Sequence, residues 1–214
     1  MNIFKGKKLN LTKRRIARSR RAFGFRTHEA QVRLAKFRGK HRVFRPAKSG
    51  KKIFAERDLL RQEIFHSLFP QNSLTPLGIA FVEEGGKHVW GVVTKIVHKR
   101  SSDYKRAQKL FYTDLSKYYD HKDEAVARHE DFVRDVAMPL SFRIRQEAGI
   151  DFDNAPVNVC NVEGTPVFFE VSDLWPRVCE KYIERTVANK AKKKRLLDSL
   201  QRLEYIERNQ LHRQ

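Results

Sequence analysis

The sequence predicts an α+β protein. Hairpin-length β-rich runs are interspersed with long amphipathic helical stretches, and no regular strand–helix–strand alternation appears, which argues against a doubly wound parallel sheet. Of 214 residues 40% are hydrophobic and 11% aromatic, enough for a packed core. No apolar run approaches the roughly 18–20 residues that cross a bilayer. The two cysteines, Cys160 and Cys179, exclude a disulfide-rich scaffold and a four-Cys zinc site.

The elements follow in order. Residues 10–22, NLTKRRIARSRRA, predict a short basic helix capped by Asn10 or Thr12, with too little apolar face to be stable alone. Residues 29–48 predict a β-hairpin around Arg38-Gly39-Lys40, from the alternation of Val32 and Leu34 and then Val43 with Phe44. Residues 52–69 predict an amphipathic helix, with Ile53, Leu59, Leu60, Ile64 and Leu68 near helical spacing and Pro70 ending it. Residues 77–84 and 88–97 flank Gly85-Gly86, a turn signal between Val/Ile/Trp-rich strands. Helices are expected over 103–120 and 123–148, the second kinked at Pro139, followed by a loop over 149–154. Two strands, 156–162 and 165–171, surround Glu163-Gly164. Residues 174–212 predict one long or broken helix, on which Leu196, Leu200, Leu203 and Ile206 form an apolar stripe.

Charge is distributed unevenly. The formal net charge is +20, and the first 52 residues hold 19 Lys/Arg against one acid, Glu29. The 53–180 stretch is mildly acidic and the remainder basic again. Such a cationic leader resists collapse by self-repulsion and is expected to stay extended until a polyanion compensates it. Lys7, Lys8, Lys13, Arg14, Arg15, Arg18, Arg20, Arg21 and Arg26 are the candidate phosphate contacts, with Phe4, Phe23 and Phe25 available to stack on bases. Lys192, Lys193, Lys194 and Arg195 form a second cationic cluster of the same sign. Residues 1–28 also have the Arg-rich, acid-free composition of an organelle transit peptide, without a clear cleavage site. No homeodomain, zinc-finger or RNP-type signature accompanies the charge, and the eight scattered histidines form no HExxH or Cys/His zinc spacing.

The stretch with the most chemical content is Gly149 to Asp173, GIDFDNAPVNVCNVEGTPVFFEVSD. Asp153 precedes Asn158 by five positions, and a short hairpin then leads to Glu170. This pattern resembles the catalytic loop and metal-binding strand of the protein-kinase-like fold. The resemblance covers about residues 30–185, mostly through element order. It implies a two-lobed core in which Asp153 orients an attacking hydroxyl, Asn158 and Glu170 hold Mg²⁺, and Arg45, partnered by Glu63 or Glu56, contacts the phosphates of ATP. The chain departs from the family pattern in several places. It has no Gly-rich phosphate loop, Arg45 stands for the strand lysine, Asp151 stands for the loop histidine, and the last ligand is Glu rather than Asp. Read without the resemblance, Asp153-Asn154 is a turn before Pro156, Asn158 a strand-end residue and Glu170 a solvated strand residue.

These readings divide the chain into a basic arm (1–28), a small β-rich lobe with one helix (29–100) and a mainly helical lobe (101–214). The leading expectation is a basic, intracellular, cytoplasmic protein that binds nucleic acid, RNA more than DNA, within a ribonucleoprotein, with a degenerate kinase-like body. The alternatives are a divergent ATP- and Mg²⁺-dependent phosphotransferase, and a structural partner protein using the 196–206 stripe.

Overall fold

The computed structural model describes residues 7–8, 10–15, 33–37, 40–47, 50–84, 86–120, 122–153 and 155–211. The chain is α+β, as its patterning predicts. β1 (Lys7–Lys8), β2 (Asn10–Arg15), β3 (Arg33–Phe37) and β4 (Lys40–Pro46) share one sheet with β5 (Pro76–Glu84) and β6 (Lys87–Thr94), in the order β1-β5-β6-β4-β3-β2. β1 runs parallel to β5, with Lys7 opposite Ala80, and β2 runs antiparallel to β3, with Arg15 opposite Arg33. One residue separates β1 from β2, yet they sit at opposite ends of that order. A single run of chain therefore pairs with both ends of the sheet, which must curl to bring them together, β1 covering β5 only at Ala80 and Phe81.

This corrects two expectations. Residues 10–15 are strand rather than helix, because β3 offers backbone partners that a lone basic helix with little apolar face cannot match. The segments 7–8 and 10–15 of the expected free arm are likewise part of the sheet. The rest of the expected helix, 16–22, lies outside the described residues, as does the start of the 29–48 hairpin, whose strands are β3 and β4.

Helix α1 (Lys52–Leu68) lies against this sheet. Ala55 and Leu59 pack with Ala47, Ile79 and Val92, while its last turns insert Leu60, Ile64 and Phe65 into the main core. α1 thus joins the curled sheet to the helical part of the molecule. That part begins with α2 (Ser102–Thr113), capped by Ser101, and α3 (Leu115–Tyr119), capped by Asp114, whose side chain breaks the predicted single helix in two. The predicted 123–148 helix is α4 (Glu124–Phe132), a π-helical turn over Val133–Ala137 and α5 (Met138–Ala148). Pro139 has no N–H and crowds the carbonyl four residues back, so the widened turn directly before it absorbs the misfit.

Gly149 caps α5 in the left-handed conformation (φ 66°), and a Cβ there would stand 2.8 Å from the Val178 Cβ. Residues 150–152, expected as loop, form β7 (Ile150–Phe152), which pairs antiparallel with β10 (Val171–Leu174). Between them a 3₁₀ turn (Pro156–Asn158) leads into the hairpin of β8 (Val159–Val162) and β9 (Thr165–Phe168). The strand expected over 165–171 is therefore two strands, with Phe169 and Glu170 between them. The C-terminal helix is broken: α6 (Pro176–Thr186) and α7 (Lys190–Leu211) are separated at 187–189, where the Asn189 side chain accepts from the Lys192 N–H at 2.9 Å.

The apolar stripe of α7 is not a docking seam. Leu196, Leu200, Leu203 and Ile206 are buried in the main core with α1, β7, Phe168 and α6. The partner-protein expectation built on that stripe is corrected accordingly: burying it completes this chain's own core.

Candidate functional site

The residues singled out in the sequence fall into three groups. The first gathers where the end of β4, the 153–158 turn and the β9–β10 junction meet. Asp153 accepts from the Ala155 N–H through Oδ1 (3.0 Å) and from the Asn158 side-chain amide through Oδ2 (2.8 Å). The Asn158 amide nitrogen is therefore committed to the carboxylate, and its Oδ1 is the atom turned to any other partner. The Phe169 N–H donates to the Asn158 carbonyl at 2.9 Å. Glu170, the next residue, is thereby held beside the turn, and its carboxylate forms an ion pair with the Arg45 guanidinium at 3.4 Å. Four residues separated by as many as 125 positions thus form one chain of contacts: Arg45 to Glu170, Glu170 through Phe169 to Asn158, and Asn158 to Asp153. The Asp153–Ala155 bond is also what an ordinary Asx turn makes. The Arg45–Glu170 pair has no such local explanation.

Arg45 is presented by a close strand approach. On β6, Gly91 lies opposite Pro46, and a Cβ at Gly91 would stand 2.7 Å from the Arg45 carbonyl carbon and 2.8 Å from the Phe44 ring. Only glycine fits there, which lets β4 and β6 run tight at the point where Arg45 leaves the sheet.

Glu63 is not part of this group, which corrects the expected Arg45–Glu63 partnership. The sheet-facing positions of α1 are Ala55, Leu59 and Gln62. Glu56 and Glu63 stand roughly 70–90° around the helix from the centre of that face and are directed to α7. Glu56 pairs with Lys52 (3.7 Å) and Arg202 (3.3 Å). Glu63 lines a cavity of about 480 Å³ between α1, β5 and α7, with Arg195, Asp198 and Arg202 also in its wall. Burial pushes the Glu63 carboxyl up, against the opposing pull of Arg195 and Arg202. The α1 residue in the sheet-facing position is Gln62, 6% exposed, whose Nε2 has no partner among the described residues.

The second group is the cationic cluster of α7. Lys192 Nζ donates to the Ser67 carbonyl in the last turn of α1 (2.8 Å), and Lys193 Nζ donates to the Glu184 carbonyl in the last turn of α6 (2.7 Å). Both ammonium groups satisfy carbonyls that helix ends leave open, at the end of the helix dipole where a cation is favoured. Arg195 is in the cavity wall. Lys194, exposed, makes no such contact among the described residues. The third group is the arm: Lys7 and Lys8 are in β1, and Lys13, Arg14 and Arg15 in β2. Arg18, Arg20, Arg21 and Arg26 lie outside the described residues. The connection that carries them starts after Arg15 and returns at Arg33, which pairs with Phe44, the neighbour of Arg45.

Sequence reasoning missed the supports beneath the 153–158 turn. His129 on α4, 1% exposed, places its Nε2 2.8 Å from the Pro156 carbonyl. Tyr104 on α2, fully buried, donates to the Val157 carbonyl at 3.4 Å and accepts from Gln108 at 2.7 Å. The signal was present: His129 lies on the buried Val126–His129–Val133 stripe, where an imidazole needs a polar partner. Cys160 and Cys179 are buried free thiols, both pushed up to about 12 by burial, and are inert at neutral pH. Among the described residues no cluster of three His, Cys, Asp or Glu side chains is arranged to hold a metal ion, and no helix is long and apolar enough to cross a membrane. No protein-family model matches the chain, and no curated protein sequence matches it.

Proposed function

We propose that the chain is a divergent, kinase-like phosphotransferase that uses ATP with Mg²⁺. The observation that carries this reading is the Arg45–Glu170 ion pair (3.4 Å), linked through the Phe169–Asn158 backbone bond (2.9 Å) to the Asp153–Asn158 pair (2.8 Å). Arg45 and Glu170 were each chosen from the sequence for a different half of the same chemistry. Element order adds support: β4, α1 and the β5–β6 hairpin precede α2 to α5, and β7–β10 and β8–β9 pairs then frame the 153–158 turn.

The donor types are those of a hard cation shared with phosphate. Mg²⁺ takes one or two protein carboxylates or carbonyls and leaves its remaining positions to phosphate oxygens and water, so the Asn158 Oδ1 and the Glu170 carboxylate are the two groups that would hold it, without a three-residue protein cluster. When bound, Mg²⁺ would neutralise charge on the transferring phosphoryl group. The chain's own residues do the rest. Asp153 accepts a hydrogen bond from the attacking hydroxyl and takes its proton. Asn158 is fixed by its bond to Asp153, and Arg45 exchanges Glu170 for phosphate oxygens, to which a guanidinium fork is suited.

A second reading, a non-catalytic nucleic-acid-binding protein, is favoured by the 19 Lys/Arg against one acid in residues 1–52. Polyanion binding by this region and phosphoryl transfer by the site are compatible, and they separate by experiment. Thermal shift of the full chain should give a saturable stabilisation with ATP and Mg²⁺ that is lost in Asp153→Ala and Glu170→Ala. Absence of any shift in a folded wild-type chain at millimolar ATP and Mg²⁺ rejects the phosphotransferase. For the second reading, joint Arg18→Gln, Arg20→Gln, Arg21→Gln and Arg26→Gln should weaken RNA binding and flatten its salt dependence. Unchanged binding rejects it. Substitution is the sound test, because a chain starting at Ile53 would lack β1 to β4 and their sheet.

A further inference from the structure

We infer that His129 is a positioning residue that locks the 153–158 turn through the Pro156 carbonyl. The inference takes its functional meaning from the proposed phosphotransferase site and adds to it a group that touches neither nucleotide nor metal.

Asp153 and Asn158 work together only if the turn between them keeps one shape. Within that turn the Asn158 N–H donates to the Ala155 carbonyl at 2.7 Å, which leaves the carbonyls of Pro156 and Val157 directed into the helical part. A buried carbonyl without a donor is costly. His129, 27 positions upstream on α4, meets the Pro156 carbonyl at 2.8 Å, and Tyr104 from α2 meets the Val157 carbonyl. The two rings touch edge to face with centroids 5.3 Å apart, and Phe169 stands edge-on to Tyr104 at 5.8 Å. One aromatic support therefore underlies both sides of the site, the Asn158 side through the turn and the Glu170 side through Phe169.

The chemistry fixes the form of the imidazole. A carbonyl only accepts, so the Nε2 of His129 carries the proton. Its Nδ1 is buried with no partner among the described residues, and a proton there would add an unsatisfied donor. The neutral Nε2–H tautomer is the one that both atoms allow. Glutamine places its amide donor near the position of Nε2, whereas phenylalanine keeps the ring volume and loses the donor.

The test uses the full chain as wild type, His129→Phe and His129→Gln. Nitrogen-15 spectra of the wild-type imidazole should show the Nε2–H tautomer. Amide hydrogen exchange at Asn158 and Phe169 should accelerate roughly tenfold in His129→Phe, with β5–β6 amides unchanged, and return towards wild type in His129→Gln. The ATP–Mg²⁺ thermal shift should weaken in the phenylalanine variant and recover in the glutamine variant. An Nδ1–H tautomer overturns the inference without any variant having to fold. So does a folded His129→Phe protein with wild-type exchange at Asn158 and Phe169, or one with a loosened turn and an undiminished ATP–Mg²⁺ shift. If wild type shows no response to ATP and Mg²⁺, the phosphotransferase reading fails, while the tautomer and exchange measurements still decide whether His129 locks the turn.

Discussion

Gly91 shows how a residue without a side chain controls one with chemistry. A methyl group at this position would overlap the backbone of Arg45 and the ring of Phe44, and neither has room to yield: Phe44 is fully buried and the backbone is held in the β4–β6 ladder. Gly91→Ala should cost about 1–3 kcal/mol, the usual range for overpacking. For a chain of this size that lowers the melting temperature by roughly 2–12 °C, read by calorimetry. A melting point equal to wild type would mean that the close approach of β4 and β6 is not a constraint. Arg45 itself was singled out in the sequence within HRVFRPA, but its ion pair with Glu170 was not. Gly91 was not, because a glycine inside a Val-rich strand signals a close approach without saying what approaches. Glu63 was misread for a related reason. Helical phase places Gln62 toward the sheet and Glu63 toward α7, and a one-residue error in phase exchanges a buried amide for a carboxylate in a cavity wall.

At the scale of elements, those bounded by clear breaking or turn residues survived best. α1, the β5–β6 hairpin and the β8–β9 hairpin lie within a few residues of their expected bounds, the last because Glu163 and Gly164 both take positive φ, as a tight hairpin turn requires. The failures share a cause: partners distant in sequence. Nothing local to 150–152 announces a strand, and β7 exists because β10 comes back to pair with it. Residues 10–15 read as helix and become strand because β3, distant in sequence, is available to pair with them. The α7 stripe was legible as a stripe, but its destination was not, since an apolar face reads the same whether it meets its own core or another molecule. The packing makes the difference measurable. Leu203 is fully buried against the core that also receives α1. Leu203→Ala should destabilise the monomer by about 2–5 kcal/mol through lost transfer energy and the cavity left behind. Denaturant unfolding at two protein concentrations checks this. A loss of stability that appears only at the higher concentration would indicate an intermolecular seam instead.

Across the whole molecule, the described strands of the basic leader are less separate than their charge suggests. They belong to the sheet that holds Arg45, while the 153–158 turn is supported from below by α2 and α4. That support and the neighbouring contact of α1 make overall stability sensitive to mild acid. Burial holds the imidazole of His129 below its ordinary value of 6.5, and burial with the nearby Lys95 ammonium does the same for His66, whose Nδ1 contacts the Ser73 hydroxyl at 2.8 Å. In both cases the unfolded chain takes up the proton first as pH falls. The stability linked to these groups is therefore fully present above about pH 6.5 and is lost as pH drops below that value toward the folded-state pKa values. Glu63 has the opposite sign: burial raises its pKa above 4.5, so the folded chain takes its proton first, and this contribution favours the fold as pH falls toward 4.5. The histidine contribution is isolated by comparing wild type with a His66→Gln, His129→Gln double variant. Wild type should lose melting temperature from pH 7.5 to 5.5, and the double variant should lose distinctly less, whatever its absolute stability. Parallel profiles for the two proteins would show that neither imidazole is kept neutral by its surroundings.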